Sequence, residues 1–170
     1  MIEVELSADE CWAATECDWE ELARQAVLAA VAATPHDALV AHPAVAEVSV
    51  CLSRDDDVQA LNARYRGKDS PTNVLSFPMF DAGGITLPAD ASAGEVLLGD
   101  IVLARETCLR EAEVRGVPLS AHASHLIVHG TLHLLGYDHM SDPEAEQMET
   151  LERGIMAALG LHDPYAPTED

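Results

Sequence analysis

Three histidines in the stretch HGTLHLLGYDH constrain the fold of this chain more than any other feature of its sequence. They are His129, His133 and His139. Residues four apart on an α-helix lie on one face, about one turn from each other, so the first two can approach closely. Zinc binds nitrogens at about 2.0 to 2.1 Å, which places any two ligands within roughly 4 Å. The spacing therefore predicts a helix that presents two metal ligands.

The third ligand follows from how the helix ends. His125 lies four residues before His129 and offers an overlapping pair, but it is eight residues from His133. Eight residues rise about 12 Å along a helix, so all three cannot share one ion. Gly136 can end the helix in a left-handed conformation and reverse the chain, which brings His139 beside His133. The predicted site is His129, His133 and His139, with a fourth position for water, as in catalytic zinc centres.

Nearby polar residues are given simpler roles. His122 and His125 are expected to support the site, to pack or to lie at the surface, and His162 is expected to be solvated. Asp138 either orients a ligand imidazole or satisfies the turn that precedes His139. The sequence pattern leaves these two roles for Asp138 open.

Hydrophobic patterning predicts the α+β class. MIEVEL and residues 45–53 alternate apolar and polar side chains as half-buried strands do, and further strand patterns cover 74–78 and 95–104. Helical patterns separate them without a regular β-α-β alternation, and no linker divides the chain. We therefore expect a single domain over residues 1–170: a small mixed sheet packed by helices, the metal site at a helix end, and a loose tail from about residue 163. The stretch from Phe80 to Gly94 is expected to be a mobile loop.

Charge and composition limit the class of partner. The net charge of -21 argues against a broad nucleic-acid surface, which needs excess Lys and Arg to displace counterions. Four of the nine basic residues lie between positions 54 and 68, so any RNA contact is expected to be local. The start MIEVELSADE lacks the features of a secretory signal, and no apolar run approaches the roughly 20 residues of a membrane span. The four cysteines form no C-x-x-C pair. We expect a cytoplasmic protein without a membrane partner.

The histidine spacing matches that of metzincin proteases, H-E-x-x-H-x-x-G-x-x-H. In those enzymes the glutamate after the first histidine is the general base. Gly130 occupies that position here, so the metal geometry is matched while the peptidase chemistry is not. A metalloprotease-like hydrolase stays an alternative only if the base comes from elsewhere, for instance from Asp100 or Glu95.

Three blocks in order make the chain resemble the YbeY family of bacterial endoribonucleases. They are LNARYRGKDSPTNVLSFP (61–78), LLGDIVLA (97–104) and HGTLHLLGYDH (129–139), within a similarity from about Val48 to the DPY at 163–165. The resemblance implies a metal-dependent hydrolase that cleaves single-stranded RNA, matures the 3′ end of 16S ribosomal RNA and acts in ribosome quality control. It places the metal on the same three histidines and a functionally important arginine on Arg66.

The predicted mechanism combines one zinc ion with Arg66. The metal would polarise the scissile phosphate or lower the pKa of its water, and the Arg66 guanidinium would neutralise the phosphate. Arg64 and Lys68 either assist or form a solvated helix end. A rival hypothesis is a non-catalytic ribosome-assembly factor with a structural metal. In either case the acidic chain is expected to meet proteins of the small ribosomal subunit or an assembly GTPase.

Overall fold

A four-stranded sheet forms the centre of the computed structural model, which describes residues 1–15, 17–80, 85 and 95–166. The strands are β1 (Ile2–Ala8), β2 (Val45–Ser53), β3 (Val74–Pro78) and β4 (Glu95–Ala104). The helices are α1 (Trp19–Ala32), α2 (Asp55–Arg66), α3 (Arg105–Arg115), α4 (Leu119–Leu134) and α5 (Asp142–Ala158). Two short 3-10 helices, Glu10–Ala14 and Asp37–Leu39, precede α1 and β2.

The strand order is β1-β2-β4-β3, and β1, β2 and β4 run parallel. β3 pairs antiparallel with β4, with Leu75 opposite Val102. A small mixed sheet packed by helices is what the sequence predicted, and the α+β class is confirmed. Within the described residues, β1 and β3 are the two outer strands. The two edges of the sheet therefore carry different parts of the molecule.

Alternation along the strands divides the core in two. In β2 every second residue, from Ala46 to Leu52, is buried on the face that packs against α1 and α4. The opposite face is covered by α2 only near β3 and β4, where Val58 packs against Leu75 and Val102. The part of that face beside β1 carries exposed Glu3 and Glu5 instead.

Helix α4 is buried around most of its circumference and packs against the sheet. Gly130 lies so close to β4 that a Cβ atom there would lie 2.9 Å from Cγ2 of Ile101. The helix ends at Leu134, and Gly136 follows with a φ of 100°. The N–H of Tyr137 then donates to the carbonyl of Leu132 at 3.0 Å, which closes the helix end. The predicted chain reversal at Gly136 is confirmed. Of the helices described, none combines the length and apolarity required to cross a bilayer.

The tail differs from its prediction. Its first residues are held rather than loose, because Arg115 donates to the carbonyl of Pro164 at 2.6 Å and the Tyr165 hydroxyl donates to Glu152 at 2.6 Å. Burial of Pro164 and these two hydrogen bonds offset the entropy lost on ordering the segment. Residues 167–170, and all of the predicted mobile loop except residues 80 and 85, lie outside the described residues.

Candidate metal centre

The structure brings His129, His133 and His139, here called the metal triad, together at the end of α4. One ligand atom from each lies within 4.8 Å of the others. The two Nε2 atoms of His129 and His133 are 3.1 Å apart, and the ring centre of His139 lies 5.1 Å from that of His133. The turn after Gly136 places His139 there, as the sequence predicted. The histidines are thus spaced as three ligands of one small cation require.

Hydrogen bonds determine which nitrogens face one another. The Nδ1 of His133 lies 2.9 Å from the carbonyl oxygen of Tyr137, and the Nδ1 of His129 lies 2.8 Å from Oε1 of Glu152. Both oxygens only accept, so the Nδ1 atoms carry the hydrogens and a neutral ring keeps a lone pair on Nε2. Two such lone pairs at 3.1 Å repel each other unless a cation lies between them. This donor set fits a metal ion bound through imidazole nitrogen.

His133 is held in the neutral form that binds metals. Its burial, followed by the neighbouring His129 and His139, lowers the pKa of His133 to about 4. A positive charge on this ring would be poorly solvated and would lie beside two other imidazoles. Near neutral pH His133 therefore offers its Nε2 lone pair without first losing a proton.

Glu152 of α5 is a buried acceptor behind the metal triad that the sequence reasoning missed. Its side chain is completely buried. Oε1 accepts from Nδ1 of His129 and from Nε2 of His125 at 2.9 Å, while Oε2 accepts from the Tyr165 hydroxyl. Burial by itself would raise the pKa of Glu152, but the hydrogen bonds from His125 and His129 outweigh it and lower the pKa to about 2. One carboxylate thus orients a member of the metal triad and holds the tail in place.

A sequence signal for Glu152 did exist. It lies four residues after Met148 and three before Ile155, on the face of α5 that is buried in the core. A glutamate on the apolar face of an amphipathic helix is expected to be paired, because an unpaired buried carboxylate is costly.

Other polar residues near the metal triad have separate partners. Asp138 accepts the backbone N–H of His139 at 2.8 Å, so of its two predicted roles the structure shows the turn. His122 is buried and bonds Glu111 at 2.8 Å, and His125 bonds Glu152, which fits their predicted supporting roles. The prediction of a solvated His162 is wrong. Its ring nitrogens are buried and find no hydrogen-bond partner among the described residues.

A cleft of about 740 Å³ runs between α4 and β3 and contains the metal triad together with Arg66 and Lys68. Arg66 is exposed at the end of α2, and its Nη2 donates to the carbonyl of Ser76 on β3 at 2.9 Å. Arg66 and the histidines, predicted from segments more than sixty residues apart, therefore share one cavity. Arg64 is not among the residues that line it.

The position after the first histidine faces the sheet. A side chain at Gly130 would meet Ile101 rather than enter the cleft. Asp100 and Glu95, the other acids considered as a protease base, are not among the described residues that line the cleft. The arrangement therefore brings three candidate metal ligands together with two basic side chains, without the adjacent carboxylate of a metzincin.

Negative charge gathers on one face of the sheet, on side chains of β1, β2 and the start of β4. We call this the acidic face and define it by Glu3, Glu5, Glu47 and Glu95. A hydrogen bond shared with the Glu5 carboxyl, then burial and then the Glu95 carboxyl, raise the pKa of Glu47 to about 7. Arg66 and Lys68 instead line the cleft between α4 and β3, which none of these four carboxylates lines, so the basic pair is separate from the acidic face.

Known proteins with similar sequences share one description. A family model described as Endoribonuclease YbeY matches residues 8–160. The chain is 58% identical over 170 residues to an endoribonuclease YbeY of Rhizorhabdus wittichii strain RW1, with 100% of both chains covered. It is 52% identical over 166 residues to one of Sphingopyxis alaskensis, with 98% of each covered. A solution structure from Thermotoga maritima aligns with a TM-score of 0.53 at 20% identity, over 98% of this chain and 100% of that one, which supports the fold.

Proposed function

Since this chain belongs to the endoribonuclease YbeY family, we propose that it is an endoribonuclease that cleaves single-stranded RNA with one zinc ion held by His129, His133 and His139. The observation that carries the proposal is the shared cleft, in which the metal triad and Arg66 line one cavity. All-imidazole ligation favours zinc, although nickel and copper accept similar ligands.

The bound ion would supply Lewis-acid charge that polarises a phosphate oxygen or activates water. The chain's own residues prepare for this chemistry. Glu152 and the Tyr137 carbonyl hold the imidazoles of His129 and His133 with Nε2 turned inward. Preorganised ligands of this kind need no reordering when the ion binds.

Arg66 binds the phosphate in this proposal. Its guanidinium already lies against the cleft wall through Ser76, and its planar fork can contact two phosphate oxygens at once. Positive charge placed where negative charge grows stabilises the transition state. Lys68 also lines the cleft, where its ammonium group attracts the phosphates of the RNA backbone as a point charge. Gly130 faces the sheet, so no carboxylate adjacent to His129 serves as a base and the peptidase alternative loses its usual chemistry.

The remaining parts of the proposal concern the biological setting. We propose a single cytoplasmic domain over residues 1–170 that processes ribosomal RNA, including the 3′ end of 16S RNA, and acts in ribosome quality control. The separation of charge supports local RNA contact at the β3 edge, with the acidic face left to a basic partner such as a protein of the small ribosomal subunit or an assembly GTPase.

The test measures metal content and cleavage of a single-stranded RNA that carries the 16S 3′ end, using wild type, His129→Ala and Arg66→Ala. We expect His129→Ala to lose both the metal and the activity. Arg66→Ala should keep the metal and the fold but cleave roughly 10²- to 10³-fold more slowly, as for loss of one transition-state donor. Arg24→Ala, which removes an exposed arginine of α1, is the matched control.

Product ends separate two routes. Attack by water leaves no cyclic phosphate, whereas attack by the RNA's own 2′-hydroxyl leaves a 2′,3′-cyclic phosphate. Equal RNA cleavage by all four proteins, with contaminating nuclease excluded, would remove the catalytic proposal. Cleavage of casein that is lost with His133→Ala, in the absence of RNA cleavage, would favour the protease alternative.

A further inference from the structure

A cluster of two aromatic rings and two arginines borders the cleft at the junction of α2 and β3. We call it the stacking rim and define it by Arg64, Tyr65, Arg66 and Phe77. Tyr65 is 58% exposed. Its ring centre lies 5.5 Å from that of Phe77, with the planes at 66°. More than half of the Tyr65 side chain thus remains exposed to solvent beside the candidate site.

Both arginines of the stacking rim lie over its rings. The Cζ of Arg64 is 5.2 Å from the centre of Tyr65, and the Cζ of Arg66 is 5.7 Å from the centre of Phe77. Such contacts hold guanidinium groups in place while leaving their N–H donors free for anions. The rim therefore combines π surface with fixed positive charge.

The stacking rim is continuous with the cleft. Arg66 and Lys68 on one side, and Ser76 and Pro78 on the other, line the cavity that contains the metal triad. Phe77 itself alternates with Ser76 and Pro78 on β3 and packs with Val58 on the α2 side. The rim therefore joins the cleft through Arg66, which bonds the Ser76 carbonyl and lies over the Phe77 ring. A strand whose phosphate sits at Arg66 would therefore pass its neighbouring nucleotide across the rim.

An exposed aromatic residue is by itself ordinary on a protein surface. What distinguishes Tyr65 is its combination with one guanidinium over its ring and a second that lines the cleft. Single-stranded RNA is recognised by unstacked bases that lie on aromatic side chains and arginine planes. A duplex keeps its bases stacked on each other, so it cannot offer a free base face to such a platform.

We propose that Tyr65 is a base-stacking subsite, which takes one nucleobase of single-stranded RNA next to the phosphate held by Arg66. This inference rests on the proposed function and deepens it by naming the part of the substrate that is bound. The tyrosine contributes to substrate binding and to the preference for single strands, while the metal triad is left unchanged.

The experiment is a double-mutant cycle in which the tyrosine ring and the RNA base are removed separately and together. Wild type, Tyr65→Ala and Tyr65→Phe are titrated with a fluorescent single-stranded RNA whose scissile bond cannot be cleaved. The titrations are repeated with copies of this RNA in which one base near that bond is replaced by an abasic unit. We expect Tyr65→Ala to weaken binding roughly 5- to 100-fold and Tyr65→Phe to bind like wild type. One abasic position should weaken wild type by a similar factor and leave Tyr65→Ala unaffected.

Cleavage assays on the same proteins complete the test, with KM raised for Tyr65→Ala, kcat nearly unchanged and metal content equal to wild type. Val114→Ala, at a residue that is 78% exposed on α3, is the matched surface control. If wild type cleaves RNA but Tyr65→Ala has the same affinity and the same abasic profile, the stacking subsite is overturned and the endoribonuclease proposal stands. If wild type neither binds nor cleaves single-stranded RNA, both are overturned.

Discussion

Glu152 and Glu47 are carboxylates whose pKa values move in opposite directions, and the more deeply buried of the two has the lower pKa. Glu152 is fully buried behind the metal triad, yet three donors to its oxygens bring its pKa down to about 2. Glu47 lies only partly buried on the acidic face, yet its carboxylate neighbours bring its pKa up to about 7. The partners within hydrogen-bonding reach outweigh the effect of burial on the pKa of Glu152 and add to it at Glu47. The region behind the metal triad is therefore organised around a permanent anion, whereas the acidic face of the sheet holds anions that repel one another.

The largest expected effect is at the buried carboxylate. Glu152→Ala removes the acceptor for His125, His129 and Tyr165 at once, and we expect the free energy of unfolding of the metal-free protein to fall by about 3 to 5 kcal/mol. Urea denaturation measures the change. Glu146→Ala, at an exposed position of the same helix, should change it by less than about 0.5 kcal/mol. A loss below about 1 kcal/mol at Glu152 would mean that its hydrogen bonds contribute little.

A smaller change isolates one of the three donors. Tyr165→Phe keeps the ring but deletes the hydroxyl that donates to Oε2 of Glu152 at 2.6 Å. Loss of one hydrogen bond to a charged acceptor should cost about 1.5 to 3 kcal/mol. The same variant should expose the tail to proteolysis, which can be followed by mass spectrometry. An unchanged stability and cleavage rate would show that the tail is held by Arg115 and packing alone.

Glu47→Gln tests the acidic face, where the raised pKa of Glu47 makes the protein less stable as the pH rises. The folded-state pKa of Glu47 is raised from the ordinary glutamate value of 4.5 to about 7, so its contribution to stability is present below pH 4.5 and is lost as the pH rises through 7. Glu47→Gln should therefore stabilise the protein at pH 8 relative to pH 4.5, by about 1 kcal/mol after allowance for solvent screening. Thermal unfolding at both pH values measures this. Equal differences at the two pH values would contradict the raised pKa.

The smallest expected effect is that of salt. Repulsion on the acidic face acts between partly exposed groups and should weaken as the Debye length falls from about 10 Å at 0.1 M to about 3 Å at 1 M. The stabilisation by Glu47→Gln at pH 8 should shrink by about half or more in 1 M NaCl, while the cost of Glu152→Ala should change little. A similar salt response at both sites would break the contrast between them.

Local spacing explains which parts of the site were predictable. The metal triad lies within eleven residues, and Gly136 indicated the turn that brings His139 back to the helix. Helix geometry was therefore sufficient to predict that the three histidines lie together. Glu152 comes 23 residues after His129 on another helix, within a stretch of the chain that is rich in acids. Its place on the apolar face of α5 marks it as a buried acid that needs a partner, but only the packing of α4 against α5 makes His125 and His129 its partners.

The strands were predictable from alternation, whereas the order β1-β2-β4-β3 and the docked tail depend on contacts between distant segments. Gly130 shows the same limit at one position. The sequence marked it as a missing base, but only its contact with Ile101 explains why a glycine is needed. The sequence pattern showed that position 130 lacks a carboxylate, and the packing against Ile101 shows why a glycine occupies it.

The histidines of α4 form a line of imidazoles along an otherwise apolar helix, paired with carboxylates of two different neighbours. His122 bonds Glu111 of α3, while His125 and His129 bond Glu152 of α5. Hydrophobic attraction is non-directional, so by itself it tolerates small slips of one helix past another. Paired polar groups do not, since turning α4 by one residue would break the bonds to both carboxylates together. The hydrogen bonds of this line of imidazoles thus fix the rotation of α4 about its own axis, and with it the direction in which the metal triad faces.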